Sequence, residues 1–428
     1  MRNLDSFKNL NYLFLKKESK EEILFYTDPE DFLDLLMSES GDIDATGFFS
    51  GIVMKENVYY LWRDPIGASK LYFSILDSGE LIYSNSWVSI LSMGIDVKRI
   101  NAVPKGKLLI FEKNKFVLVK KIKIPKYNYK GAIAGDLNER ISFFFEEFKN
   151  YIQTKKKNNK NNSIYLALSG GLDSSYLLLR AVKKHLNIKA ITINLPGSKD
   201  ALLSKEIAKK LNCKHLIIDT NKNQILDSLL KAPLFCDDWR DFNVHCAAIN
   251  MLIGQNIIGK SDKEVFLITG DFMNEYVCDY QEETFEQKTY YKLPKVSVKK
   301  LQQYLVSGLE TSAREDVVFS KYNINTIQPY SLVYDIYSSL NTEILLENDV
   351  KKKINLVEED KWILDFISSE KLRAQVGDKD SMGILGLAIE NKLSDDSFLE
   401  IISKKTNQNP TCLKTLIFAG KFKTINIS

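Results

Sequence analysis

The chain has 428 residues, enough for two or three domains and a sizeable buried core. Hydrophobic residues make up 44% and charged residues 27%, and 59 basic against 55 acidic side chains leave +4, too small and dispersed a charge to argue for nucleic acid or an acidic membrane. No window approaches roughly 18 uninterrupted apolar residues, the first 20 residues carry scattered charge, and the five cysteines show no CxxC spacing. The expectation is a soluble cytoplasmic protein with free thiols, no signal peptide and no membrane span. The three histidines have no metal-site spacing, so a His-based zinc site is not expected.

The first 125 or so residues read as β-rich. Short apolar runs at 47–54, 57–62, 70–76, 80–85 and 107–124 alternate with turn signals, and Glu112 to Lys115 splits the last run as a hairpin. A helix follows at about 138–154, with Ile141, Phe144, Phe145, Phe148 and Ile152 on one face. The Lys/Asn run at 155–162 lacks interleaved aromatics and reads as a solvated loop rather than a nucleic-acid patch. From Ser163 the period changes: strands at 163–168, 189–195, 214–219 and 265–270 alternate with helical stretches, implying a doubly wound parallel sheet. Beyond about 295 the chain reads as mostly helical. The predicted division is residues 1–125 and 126–428, an α/β protein with a β-rich first domain.

The segment that carries chemistry is Leu168-Ser169-Gly170-Gly171-Leu172-Asp173-Ser174-Ser175, between a strand and a helix. Glycines admit a ligand to the backbone, and hydroxyls and N–H groups at a helix start form an anion cradle. No lysine follows, so this is not a Walker P-loop. It resembles the SGGxDS pyrophosphate loop of the N-type ATP pyrophosphatases. The resemblance implies ATP cleavage between the α and β phosphates, adenylation of a carboxylate or carbonyl oxygen, and Mg²⁺ held in part by Asp173.

The surrounding residues resemble the asparagine synthetase superfamily from about 45 to 380. Arg63-Asp64-Pro65-Ile66-Gly67-Ala68-Ser69-Lys70-Leu71-Tyr72-Phe73 is similar to the RDxxGxxPLYY stretch of its class II glutamine amidotransferase domain. Ile82 to Ser86 and Asn101 to Gly106 fall where that family has its F-x-S-E segment and PPG turn. Glu206 to Ala208 and Asn212 to His215 resemble the helix and strand after the loop, with His215 read as structural. Thr269-Gly270-Asp271-Phe272-Met273-Asn274-Glu275 sits where the family has TGDGADE. The implied fold is a degenerate Ntn-type amidotransferase β-sandwich followed by an adenine nucleotide α-hydrolase-like synthetase domain.

One departure is decisive. Those synthetases hydrolyse glutamine with an N-terminal cysteine, whereas residue 2 here is Arg2 and the first cysteine is Cys213. β-Lactam synthetases and lasso-peptide cyclases share that loss and use a substrate amine. Against the β-lactam synthetase pattern, Asp271 takes the place of a tyrosine, as a base or as a metal ligand, and Asn274 replaces a carboxylate. Glu315 is the nearest match to the partner glutamate, with Asp316 or Glu310 as alternatives, and Lys371 matches the lysine that lies over the acyl-adenylate. The cluster Asp237-Asp238-Trp239-Arg240-Asp241 reads either as a binder of an amino group or a second Mg²⁺, or as a helix start.

The expected function is an ATP- and Mg²⁺-dependent carboxylate–amine ligase or cyclase that works without glutamine hydrolysis. Leu168, Ser169, Gly170, Gly171, Leu172, Asp173, Ser174, Asn194 and Gly270 are the expected nucleotide-binding set. Asp173 and Asp271 are the expected metal ligands, and Asp271, Glu315 and Lys371 the candidates for the chemistry. The expected partner is a small molecule or peptide bearing a carboxylate and an amine, and a homodimer stays open. The alternatives are an RNA-modifying ATP pyrophosphatase and a catalytically silent scaffold.

Overall fold

The alternating and continuous apolar runs sort into two sheet systems. The computed structural model describes residues 2–3, 10–16, 21–113, 115–128, 133–157, 161–196, 198, 200–258, 263–339, 362–363, 375–376 and 383–418. In the first system, β1 (Arg2–Asn3), β2 (Asn11–Lys16), β3 (Glu21–Tyr26), α1 (Pro29–Ser38), β4 (Ile43–Phe48), β5 (Ser50–Lys55), β6 (Val58–Arg63), β7 (Tyr72–Ile75), β8 (Leu81–Ser84), α2 (Trp87–Leu91), β9 (Asn101–Ala102), β10 (Lys107–Glu112) and β11 (Lys115–Lys123) follow one another. They form a four-stranded sheet, β1-β8-β7-β9, and a seven-stranded sheet, β3-β2-β4-β11-β10-β6-β5. Ile52, Leu61, Leu109 and Phe116 of the larger sheet pack on Phe73, Leu81 and Tyr83 of the smaller. The expected hairpin is present, with Glu112 opposite Lys115. The run at 47–54 is two strands rather than one, β4 and β5, broken at Phe49.

Strand β2 shows why two helices cover this sheet. Its side chains alternate, Leu13 and Leu15 meeting Phe32, Leu33 and Leu36 of α1, while Tyr12 and Phe14 face the other way. That second face is covered by α3 (Ile133–Lys157), through the predicted face Ile141, Phe144, Phe145, Phe148 and Ile152. The Lys/Asn run is therefore not one loop: 155–157 end α3, and 161–162 open the next strand.

The second system runs β12 (Asn161–Ala167), α4 (Leu172–Lys183), β13 (Lys189–Asn194), α5 (Asp200–Lys210), β14 (Lys214–Asp219), α6 (Lys222–Phe235), α7 (Asp241–Asn256) and β15 (Lys263–Ile268). After these come α8 (Met273–Tyr276), the β16 (Glu283–Phe285) and β17 (Lys288–Tyr290) ribbon, α9 (Val298–Leu309), α10 (Asp316–Ser320), β18 (Ile324–Ile327), α11 (Tyr334–Ser338), α12 (Gly383–Glu390), α13 (Asp395–Thr406) and α14 (Pro410–Phe418). The five-stranded sheet has the order β14-β13-β12-β15-β18, every pair parallel. Strand β18, in a stretch expected to be helical, completes it. Four residues of INTI alternate too briefly to announce a strand, and pairing with β15 decides their state. Alternate residues of β15 serve the two faces: Phe266 and Ile268 join the core with α3 and α4, Val265 and Leu267 the core with α6 and α7. No helix among the described residues is long and apolar enough to cross a membrane.

Candidate active site

From β12 the chain winds outward to β13 and β14, then returns to the other side of β12 for β15 and β18. The segments after β12 and β15 therefore part at the carboxyl ends of neighbouring strands. Open α/β sheets bind ligands in that crevice. Both sequence-selected loops, 168–175 and 269–275, lie there.

The first loop is braced from below. The Leu168 carbonyl accepts from Thr192 Oγ1 at 2.6 Å and Ser204 Oγ at 3.0 Å. Thr192 Oγ1 also lies 2.8 Å from His215 Nε2, so His215 supports the brace, in keeping with a structural role. Gly170 has a φ of +73°, and a Cβ there would sit 2.7 Å from Leu203 Cβ, so the turn needs glycine. Ser169 Oγ and Ser174 Oγ lie 3.3 Å apart across the loop. Gly171 occupies the N-cap of α4, where no side chain caps the helix, which leaves the end of a twelve-residue helix dipole suited to an anion. Asn194, at the end of β13, donates to Asp219 Oδ1 at 2.7 Å.

The second loop touches the first backbone to backbone. A Cβ on Gly270 would lie 3.2 Å from Ser174 N and 3.3 Å from Asp173 Cβ. The next residue, Asp271, thus emerges beside the buried Asp173, whose carbonyl accepts from Tyr330 Oη at 3.0 Å. Phe272, where the resembled pattern has glycine, holds a φ of +84°, a strained value for a bulky residue. Asn274 Oδ1 is buried with no hydrogen-bond partner. Among the described residues no group of three or more His, Cys, Asp or Glu side chains is arranged for a metal. Mg²⁺ asks for less, one or two carboxylates with phosphates and waters completing its shell. Two hard oxygen donors on touching loops at an anion cradle fit that demand.

Beyond Asp271, three carboxylates gather around one buried guanidinium. Arg314 Nε bonds Glu315 Oε1 at 2.5 Å, and its Nη2 lies 3.1 Å from Glu275 Oε1 and 3.8 Å from Asp271 Oδ1. Asn243 Oδ1 accepts from Nη1 at 3.3 Å, and Tyr280 Oη donates to Glu275 at 2.6 Å. A buried guanidinium this well partnered is fixed in place, and so are the carboxylates it holds. Burial pushes the Glu315 carboxyl well above the usual carboxylate range, and Asp271 and Glu275 add to the effect against the pull of Arg314. Asp271, Glu315 and Asp316 line one narrow cleft with Ser312, Gln328 and, from the first sheet system, Ala68 and Lys70.

The structure thus brings Asp173, Asp271 and Glu315 to one crevice. Lys371 lies outside the described residues. Sequence reasoning passed over Arg314, Glu275, Tyr280 and Lys70 as site components, because nothing local marks an arginine or lysine as buried. The Asp237–Asp241 cluster is a set of helix starts. Asp237 accepts from Ser86 Oγ at 2.7 Å and Trp87 N at 2.6 Å, capping α2, while Asp238 holds Arg240 and Asn243 and Asp241 opens α7.

Residues 159–313 match the asparagine synthase family model. That stretch contains both crevice loops and stops one residue before Arg314. No curated protein matches the chain. Solved structures that overlap it include NH3-dependent NAD synthetase from Campylobacter jejuni subsp. jejuni NCTC 11168, at 17% identity and a TM-score of 0.29, over 68% of this chain and 98% of that one. NMN synthetase from Francisella tularensis overlaps at 15% identity and a TM-score of 0.24, over 64% and 93%. A predicted subunit of tRNA methyltransferase from Methanocaldococcus jannaschii DSM overlaps at 19% identity and a TM-score of 0.21, over 40% and 68%.

Proposed function

We propose that the protein is an ATP-dependent ligase that adenylates a substrate carboxylate, releases pyrophosphate, and joins the acyl group to a substrate amine without hydrolysing glutamine. The observation that carries this reading is the SGGLDSS loop, at the crevice of the parallel sheet and inside the stretch that matches the asparagine synthase model. Ser169, Gly170, Gly171 and Ser174 would hold the phosphates at the start of α4. Asp173 and Asp271 would hold Mg²⁺, which when bound neutralises phosphate charge. Glu315, raised in basicity by burial, would take the proton of the attacking amine while Arg314 keeps it aimed at the cleft. Lys371 would stabilise the negative charge that develops as the amine attacks. The product would be an amide or, if the amine lies in the same substrate, a lactam. The test is a screen of amino-bearing carboxylic acids for pyrophosphate release from MgATP. Acid-dependent release with equimolar AMP supports the reading, and ADP and phosphate as products would replace it.

A further inference from the structure

We propose that Lys70, with Arg63, is a positioning residue for the acidic cleft: two cations of the first sheet system hold the carbonyls that end α9 and so set the segment that presents Arg314 and Glu315 to Asp271. This rests on the adenylation reading above.

The segment Arg63–Lys70 is built as a rigid hook. The Asp64 carboxylate accepts from the backbone N–H groups of Ile66, Gly67, Ala68 and Ser69 at 2.7–3.0 Å, closing the loop on itself. Arg63 Nε reaches the Ser69 carbonyl at 2.8 Å and Nη2 the Gly67 carbonyl at 2.5 Å. The Lys70 ammonium is buried, and it donates to three carbonyls: Gly67 at 3.1 Å, Ala68 at 2.7 Å and Leu309 of α9. Arg63 Nη2 donates to the next carbonyl, Glu310, at 3.2 Å.

Helix ends leave carbonyls without partners, and a basic side chain can cap them. Here both cations come from more than 230 residues earlier in the chain. Six residues past Leu309 comes Glu315, with only a short turn between. The backbone N–H of Lys70 also donates to Asp316 Oδ2 at 3.4 Å, at the far side of that turn. Both ends of the 309–316 segment are therefore anchored on one residue. Removing the ammonium frees the near end, while Arg314 keeps its carboxylates only if the segment stays where it is. A charge at this depth is costly unless every donor is used. Burial, with Arg63 next in effect, pushes the ammonium down to about 7 against Asp316, Asp64 and Glu310.

The experiment uses the full chain. Lys70→Met should speed backbone hydrogen exchange over residues 309–316 by about tenfold or more relative to wild type, with residues 168–180 unchanged. MgATP should bind within about threefold of wild type. With the acid and amine found in the pyrophosphate screen, amide turnover should fall by about tenfold or more at an unchanged KM for ATP, since a misplacement of about 1 Å is that costly. Lys105→Gln, which breaks the half-exposed 2.9 Å pair with Glu310 and leaves the Lys70 and Arg63 contacts in place, should change turnover by less than about threefold. If Lys70→Met does not fold, Arg63→Lys shortens the second arm and carries the same measurements. Exchange over 309–316 within about threefold of wild type would overturn the proposal, as would MgATP binding lost in step with turnover. Failure of the wild-type protein to release pyrophosphate would instead remove the adenylation reading, and the exchange measurement would still decide whether Lys70 sets the segment.

Discussion

Asp173 joins the two chemical halves of the crevice, because it stands in the first turn of α4 and against Gly270. Replacing it by alanine removes the carboxylate proposed to serve Mg²⁺ and the phosphates but no helix cap, so the fold should survive. Asp173→Ala is expected to lower pyrophosphate release on the order of 10²–10³-fold, and release within a few-fold of wild type would remove the assignment. In the proposed reaction Lys371 would serve the second half-reaction. Lys371→Ala should still exchange labelled pyrophosphate into ATP with substrate present, yet form no amide. Simultaneous loss of exchange would make Lys371 a phosphate ligand instead. At this scale the sequence announces acids better than bases. Asp173, Asp271 and Glu315 stand out through their place in motifs, whereas Arg314 and Lys70 become site components only because tertiary packing buries them.

Among elements, α2 is held by a residue more than 140 positions away. Asp237 caps it through Ser86 Oγ and Trp87 N, at a φ of +51°. Burial pushes this carboxyl up to about 7, with Lys321 and the two hydrogen bonds opposing. An unfolded aspartate titrates near about 4, so between about pH 4 and pH 7 the native state binds more protons than the unfolded state. Its contribution to stability must then fall as pH rises through that window. Asp237→Asn removes the titration at the cost of a hydrogen bond. Urea unfolding at several pH values should show the wild-type advantage over the variant shrinking from pH 5 to about pH 7. Parallel stability curves would contradict the assignment. The acidic cluster around Asp237 was legible as a helix start, yet the helix that Asp237 caps lies in the other sheet system, which local pattern cannot reveal.

The two sheet systems share one core. Tyr12, Phe14, Ile23 and Phe48 of the first cluster with Ile141, Phe144 and Phe148 of α3 and with Phe266 of β15. Tyr12 Oη accepts from Gln328 N at 2.6 Å, and Thr46 Oγ1 donates to the Ser331 carbonyl at 2.9 Å. Thermal unfolding of the full chain should therefore be a single transition, and residues 126–428 alone should be insoluble because the aromatic face of α3 is bared. Two resolved transitions would show independent domains. The same scale carries the nitrogen source. No cysteine precedes Cys213, so glutamine incubated with the protein should release no more glutamate than a protein-free control.

By itself the sequence determined the strand-and-helix alternation from Ser163, the hairpin at 107–124, the face of α3 and the glycine-rich SGGLDSS turn between a strand and a helix, since each depends on periodicity or on residue types within a few positions. Tertiary structure alone decided the strand state of Ile324–Ile327, which only pairing with β15 supplies. It alone closed Arg314 within three carboxylates and brought the Lys70 hook to the end of α9. Apart from the neighbouring Arg314–Glu315 pair, those contacts span dozens to hundreds of residues. Burial, not side-chain identity, makes their charges expensive, and only the packed chain defines what is buried.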